Sequence, residues 1–169
     1  MKRTGWGRCV VLAGAAWVLA GCVMHKAPVE EVSVEPDQAK PVACSPAPEG
    51  SPLTGTWLST TRPHGVVGDF RALVVLSADG AMSYETQLKV GRRIRPGLRE
   101  TGCWQVDEGV LTLQTKKSNG EWVDATDAIY QNRYRVEKAA SARLTLRELK
   151  RDGQLVTARR VQPGYRLSY

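Results

Sequence analysis

Residues 70–88 read Phe70-Arg71-Ala72-Leu73-Val74-Val75-Leu76-Ser77-Ala78-Asp79-Gly80-Ala81-Met82-Ser83-Tyr84-Glu85-Thr86-Gln87-Leu88. An apolar run ends at Ala78-Asp79-Gly80, and a second run of strand character follows. Asp-Gly between two such runs is a strong hairpin signal, because its residues adopt the backbone conformation that a tight turn demands. Past the turn, Met82, Tyr84, Thr86 and Leu88 fall on one face and Ser83, Glu85 and Gln87 on the other. That is the period of two expected of a half-buried strand.

The same grammar extends in both directions. Upstream, Gly55-Thr56-Trp57-Leu58-Ser59 opens the series. Downstream, Leu98 to Val106 places Trp104 and Val106 on one face, and Asp107-Glu108-Gly109 turns the chain into Val110 to Lys116. There Leu111 and Leu113 alternate with Thr112 and Gln114. Lys117-Ser118-Asn119-Gly120 is another turn. Ile129 to Glu137 groups Tyr130, Tyr134 and Val136 with Asn132. Ala142 to Leu149 sets Leu144 and Leu146 against Arg143, Thr145 and Arg147. Arg151-Asp152-Gly153 turns the chain into Gln154 to Val161. This makes about eight strands, and no helical period is sustained over ten residues. A sheet of that length must curl to hide its edges. The expectation is an all-β domain, an antiparallel up-and-down barrel of about eight strands, with a two-sheet sandwich as the second choice.

Gly55-Thr56-Trp57 on a first strand, an Asp-Gly hairpin, and Gly102-Cys103-Trp104 leading into Glu108-Gly109-Val110-Leu111-Thr112-Leu113 resemble the lipocalin-like barrel domains. In that family the tryptophan of the first-strand motif plugs the closed end. The resemblance therefore implies this structural role for Gly55 and Trp57, and a carrier of a small apolar molecule as one functional class. Trp57, Trp104, Tyr130, Tyr134 and Leu144 are candidate cavity-lining residues. A barrel of eight strands either fills with side chains or holds one small ligand. With one Phe and few large aliphatics per strand, a filled core is expected.

The chain's first residues carry an address. Lys2, Arg3 and Arg8 precede an apolar run from Val10 to Ala20, the layout of a secretory signal peptide. That run is about half the roughly 20 residues of a spanning helix. Leu19-Ala20-Gly21-Cys22 resembles the lipobox of bacterial lipoproteins. The resemblance implies cleavage after Gly21, a diacylglyceryl group on the Cys22 thiol and an acylated new amino group. More than one acyl chain makes bilayer anchoring stable. Val23 after the cysteine, rather than Asp, implies outer-membrane sorting by the rule of enteric bacteria, with the domain in the periplasm or at the surface. The expected organisation is a signal peptide at 1–21, the lipidated cysteine and a disordered tether at 22–50, and the barrel at 51–169. In the tether Pro28, Pro36, Pro41, Pro46 and Pro48 recur among acids without aromatic residues, too little apolar surface to offset the entropy of ordering. A flexible chain of this length holds the domain about 30 Å from the membrane.

Of four cysteines, Cys9 falls in the removed segment and Cys22 takes the lipid. Two thiols left in an oxidising compartment predict one disulfide, Cys44–Cys103. Free thiols are the alternative, because sequence spacing does not set distance.

The net charge of +7 is unevenly spread: residues 51–169 carry 19 Lys and Arg against 12 Asp and Glu, while residues 22–50 are acidic. A secreted basic domain meets lipid headgroups and glycans rather than nucleic acid; solubility alone is the competing explanation of the charge. Lys89, Arg92, Arg93, Arg95 and Arg99 cluster in one stretch with Gly91, Pro96 and Gly97, which reads as a basic loop. Arginines suit bidentate contact with phosphate or carboxylate groups, and Arg159-Arg160 are candidates to join the patch.

His25 and His64 are the only histidines, too few for a multi-histidine zinc site. His64 with Asp69 lacks an ordered nucleophile, and Asp107 and Glu108 belong to a turn. No catalytic site, metal or cofactor is expected. The leading expectation is a membrane-anchored, non-enzymatic envelope lipoprotein that binds an anionic lipid, glycan or envelope protein through the basic stretch. A lipocalin-like carrier is the alternative.

Overall fold

The computed structural model describes residues 43–62, 65 and 67–168. Cys9, Cys22, His25 and His64, with most of the tether, lie outside the described residues.

Short apolar-alternating runs separated by positive-φ residues leave the chain few options besides antiparallel strands. The strands are β1 (Gly55–Thr61), β2 (Asp69–Leu76), β3 (Ala81–Val90), β4 (Arg93–Asp107), β5 (Val110–Ser118), β6 (Glu121–Trp122), β7 (Gln131–Ala139), β8 (Arg143–Glu148) and β9 (Leu155–Val161). Each long strand pairs antiparallel with its neighbours, β4 pairs with β5, and β9 returns to pair with β1. The result is a closed eight-stranded up-and-down barrel, with the two-residue β6 appended to the end of β5. Closure leaves no full-length sheet edge unpaired, which removes the principal route to edge-to-edge aggregation.

The turns follow their chemistry. Glu108 and Gly109 both have positive φ between the paired residues Asp107 and Val110, as do Asn119 and Gly120 between Ser118 and Glu121. Two consecutive positive-φ residues make the turn that matches strand twist. At Ser77 to Gly80 the Asp79 carboxylate accepts from the Ala81 amide and Gly80 takes the positive φ. Asp107 and Glu108 are therefore turn residues.

Three departures from the sequence expectation have physical causes. The basic stretch is not a loop: Lys89 ends β3, Arg93 to Arg99 begin β4, and only Gly91 and Arg92 lie outside the strands. Pro96 fits there because the register shifts between Glu85 and Gln87, and a bulge tolerates a residue without an amide hydrogen. Tyr130 belongs to a 3-10 turn, Ala128–Tyr130, capped by the Asp127 carboxylate, so β7 starts at Gln131. Finally, residues before 51 are attached to the barrel. The Ala47 amide donates to the Ala78 carbonyl, and the expected Cys44–Cys103 disulfide is present, with a Cα–Cα distance of 5.5 Å. The sequence boundary at residue 51 thus falls inside an anchored segment.

Inside the barrel the main core gathers Leu53, Trp57, Leu76, Met82, Trp104, Leu111, Leu113, Leu144, Leu146 and Ala158. A second, outer cluster joins Leu58 and Leu73, which are Cα partners across β1 and β2, to Leu167. The segment after β9 thereby covers the outer face of those strands, where period two would otherwise leave two leucines in water.

Candidate functional site

Strand pairing decides which side chains meet inside. Trp57, Ser59 and Thr61 of β1 point inward with Phe70, Ala72, Val74 and Leu76 of β2, because directly paired residues share a face. Several of these side chains are small. Ser59, Ala72, Val74, Val156 and Ala158 stand where larger residues would meet across the barrel. Their combined shortfall leaves a cavity of about 290 Å³, lined mainly by apolar groups. The expected filled core is therefore corrected: the barrel is partly hollow. Trp57, Tyr134 and Leu144 line the cavity; Trp104 and Tyr130 do not.

One end is sealed. Trp57 is 1% exposed and its indole N–H donates to the Leu53 carbonyl at 2.7 Å. Arg160 covers the indole, its guanidinium carbon 4.1 Å from the ring centroid. The same guanidinium donates to the carbonyls of Thr54 at 2.6 Å and Pro52 at 2.8 Å, and its Nε donates to the Ser141 carbonyl. A Cβ at Gly55, whose φ is +139°, would collide with this guanidinium. Gly55 thus gives Arg160 its seat over Trp57. Arg160 is held over Trp57 and does not join the basic cluster. Trp104 is tied in similarly, its indole N–H donating to the Ser77 carbonyl at 2.9 Å.

The rest of the wall is polar in one sector. Tyr84 and Tyr134 line the cavity. Directly paired with them are Glu100 on β4 and Glu148 on β8, which face the same way. Glu100 is 8% exposed, and its Oε2 accepts from the Thr115 hydroxyl at 3.3 Å. Glu148 is neutralised by Lys150 at 2.9 Å, and Lys150 also donates to Asn132. The carboxylates act on both phenols. Burial, and then the Glu148 and Glu100 carboxylates, push the Tyr134 phenol up to about 12. Burial raises Tyr84 as well, reinforced by Tyr134, Glu100 and Glu148. Both phenols consequently stay protonated under physiological conditions.

The basic cluster lies on the β3–β4 hairpin. Arg92, Arg93 and Arg95 are exposed, and among the described residues their side chains have no ion-pair or hydrogen-bond partner. Lys89 pairs in register with Asp69, and Arg99 forms an ion pair with Glu85 at 2.9 Å. Asp69 itself is bonded to Arg62 at 2.6 Å, which occupies the carboxylate that a His64 dyad would require. Among the described residues no cluster of His, Cys, Asp and Glu could hold a metal ion.

Glu100 and Glu148 escaped notice in the sequence, yet both were countable. Stepping back by two from Trp104 passes Gly102 and reaches Glu100; stepping on by two from Leu144 and Leu146 reaches Glu148. Arg160 over Trp57 had no local signal. The sequence separation of 103 between those two residues says nothing of proximity until the barrel closes. No protein-family model and no curated protein matches the chain.

Proposed function

We propose that this chain is a lipid-anchored envelope protein whose barrel binds a small, mainly apolar molecule. The interior cavity of about 290 Å³ carries this reading. It is near the lower bound of about 300 Å³ for small-molecule sites, and its apolar wall with a few convergent polar groups is the usual composition of such sites. A sealed end and one polar sector suit a carrier, which needs shape and hydrophobic contact rather than reacting groups. The anchor rests on the lipobox-like Leu19-Ala20-Gly21-Cys22.

The test is native mass spectrometry of residues 22–169, exported to the periplasm with Cys22→Ser so that no acyl chain is attached. A co-purifying small molecule that is absent after Ala72→Leu supports the carrier. A bare mass, with no uptake of added apolar probes, removes it.

A second reading is favoured by one observation. Arg92, Arg93 and Arg95 stand exposed and unpartnered on a projecting hairpin. Such guanidinium groups suit contact with phosphate-bearing lipid or glycan, and this contact is compatible with a cargo inside the barrel.

A further inference from the structure

Tyr84 and Tyr134 bring two phenol oxygens to the cavity wall, and among the described residues neither hydroxyl has a hydrogen-bond partner. Neither oxygen is closed off by protein atoms, so both hydroxyls are open to a group that enters the cavity. Beside Tyr84, directly across the strand pair, stands Glu100, more than nine-tenths buried. Its Oε2 is used by Thr115; its Oε1 has no bonded donor, and no cation among the described residues reaches it. Glu148, the other carboxylate of this sector, already has Lys150.

Two phenol hydroxyls, each able to accept as well as donate, and one unneutralised carboxylate define the complementary group. An ammonium has three donors and no acceptor. A protonated amine satisfies both phenol oxygens and places its charge beside Glu100. A carboxylate ligand would set like charges together in a setting where water screens them poorly. A neutral hydroxyl would fill the hydrogen bonds but leave Glu100 without a counter-charge. We infer that the cavity selects small amphiphiles with a protonated amine head and an apolar tail, against anionic amphiphiles of the same length. The inference rests on the ligand-binding reading of the cavity and adds the chemistry of the ligand's polar end. It also runs against the protein's overall field. A net charge of +7 attracts anions to the surface, so a preference for an amine must come from the interior.

The experiment titrates the same soluble chain, residues 22–169 with Cys22→Ser, with octylamine, octanol and octanoate at neutral pH, followed by calorimetry. Octylamine is expected to bind at least about tenfold more tightly than octanoate, with octanol between them. Glu100→Gln keeps an acceptor for Thr115 and removes the charge. It is expected to bring octylamine down to the octanol level while leaving octanol unchanged. Octanoate binding as tightly as octylamine overturns the inference and leaves the carrier reading intact. An amine advantage that survives Glu100→Gln overturns it as well. Binding of none of the three overturns the carrier reading and the inference together. The order of the three ligands on the unsubstituted site decides the matter even if Glu100→Gln does not fold.

Discussion

Arg160, next to the end of the last strand, lies over the indole of Trp57 on the first strand, 4.1 Å from the ring centroid. The contact joins the two ends of the barrel sequence. Its guanidinium also caps the carbonyls of Pro52, Thr54 and Ser141, which have no strand partner there. Arg160→Ala removes the stack and leaves those carbonyls to water. A loss of about 2 kcal/mol is expected in urea unfolding, from a cation–π contact plus charged hydrogen bonds. Arg160→Lys is expected to recover less than half of it, because an ammonium has neither the planar face nor the fork. Full stability in Arg160→Lys would show that charge alone suffices.

The Cys44–Cys103 disulfide closes a sequence separation of 59 residues. Constraining a loop of that length in the unfolded chain stabilises by about 4 kcal/mol in the chain-entropy model. Cys44→Ser with Cys103→Ser should lower the denaturant midpoint accordingly. The unreduced protein should resist alkylation at both positions.

The two cavity tyrosines predict an alkaline limb of stability. Their folded-state values are raised, so the contribution is complete below the ordinary phenol value of about 10 and is lost as pH rises through the folded values. Phenolate absorbance should show Tyr134 ionising only near pH 12, and Tyr84 also above the ordinary range. Tyr84→Phe with Tyr134→Phe should flatten the fall in stability above about pH 10. An unchanged pH profile in that variant would place the titrating groups elsewhere.

Ala72 is buried, faces inward and lines the cavity. Ala72→Leu puts three more carbons into existing space. Ligand uptake should fall at least about tenfold, while stability changes by less than about 1 kcal/mol because no strain is needed. A loss of several kcal/mol with ligand uptake retained would mean that the cavity is not where the ligand sits.

Arg92, Arg93 and Arg95 are exposed on the β3–β4 hairpin. Replacing all three by Ala should leave stability within about 0.5 kcal/mol. Binding of the soluble chain to anionic phosphatidylglycerol vesicles should weaken and lose its salt dependence. Octylamine binding should not move, since none of the three lines the cavity. Unaltered vesicle binding would remove the hairpin as an anion-contacting surface.

Much of the architecture was legible because it is local. Period-two alternation in Met82 to Leu88, and positive-φ turn residues such as Asn119-Gly120, specify strands and hairpins from neighbours alone. The faces were legible too, and they extend without a break to Glu100 and Glu148. One feature misled for a local reason. Gly91, Pro96 and Gly97 read as loop punctuation, but pairing with β3 and a bulge at Glu85/Gln87 keep Arg93 to Arg99 in strand.

By itself, then, the sequence determined an antiparallel chain of about eight strands, since turn conformation and side-chain alternation depend on residues a few positions apart. Only the tertiary structure decided that the barrel is hollow. Whether small inward residues leave a void depends on what stands opposite, and Ala72, Ser59 and Ala158 meet across strands that closure brings together. The same closure set Arg160 on Trp57 and gathered Tyr84, Tyr134 and Glu100 beside one cavity. Such groupings come from the register of nonlocal pairing, which no stretch of sequence contains.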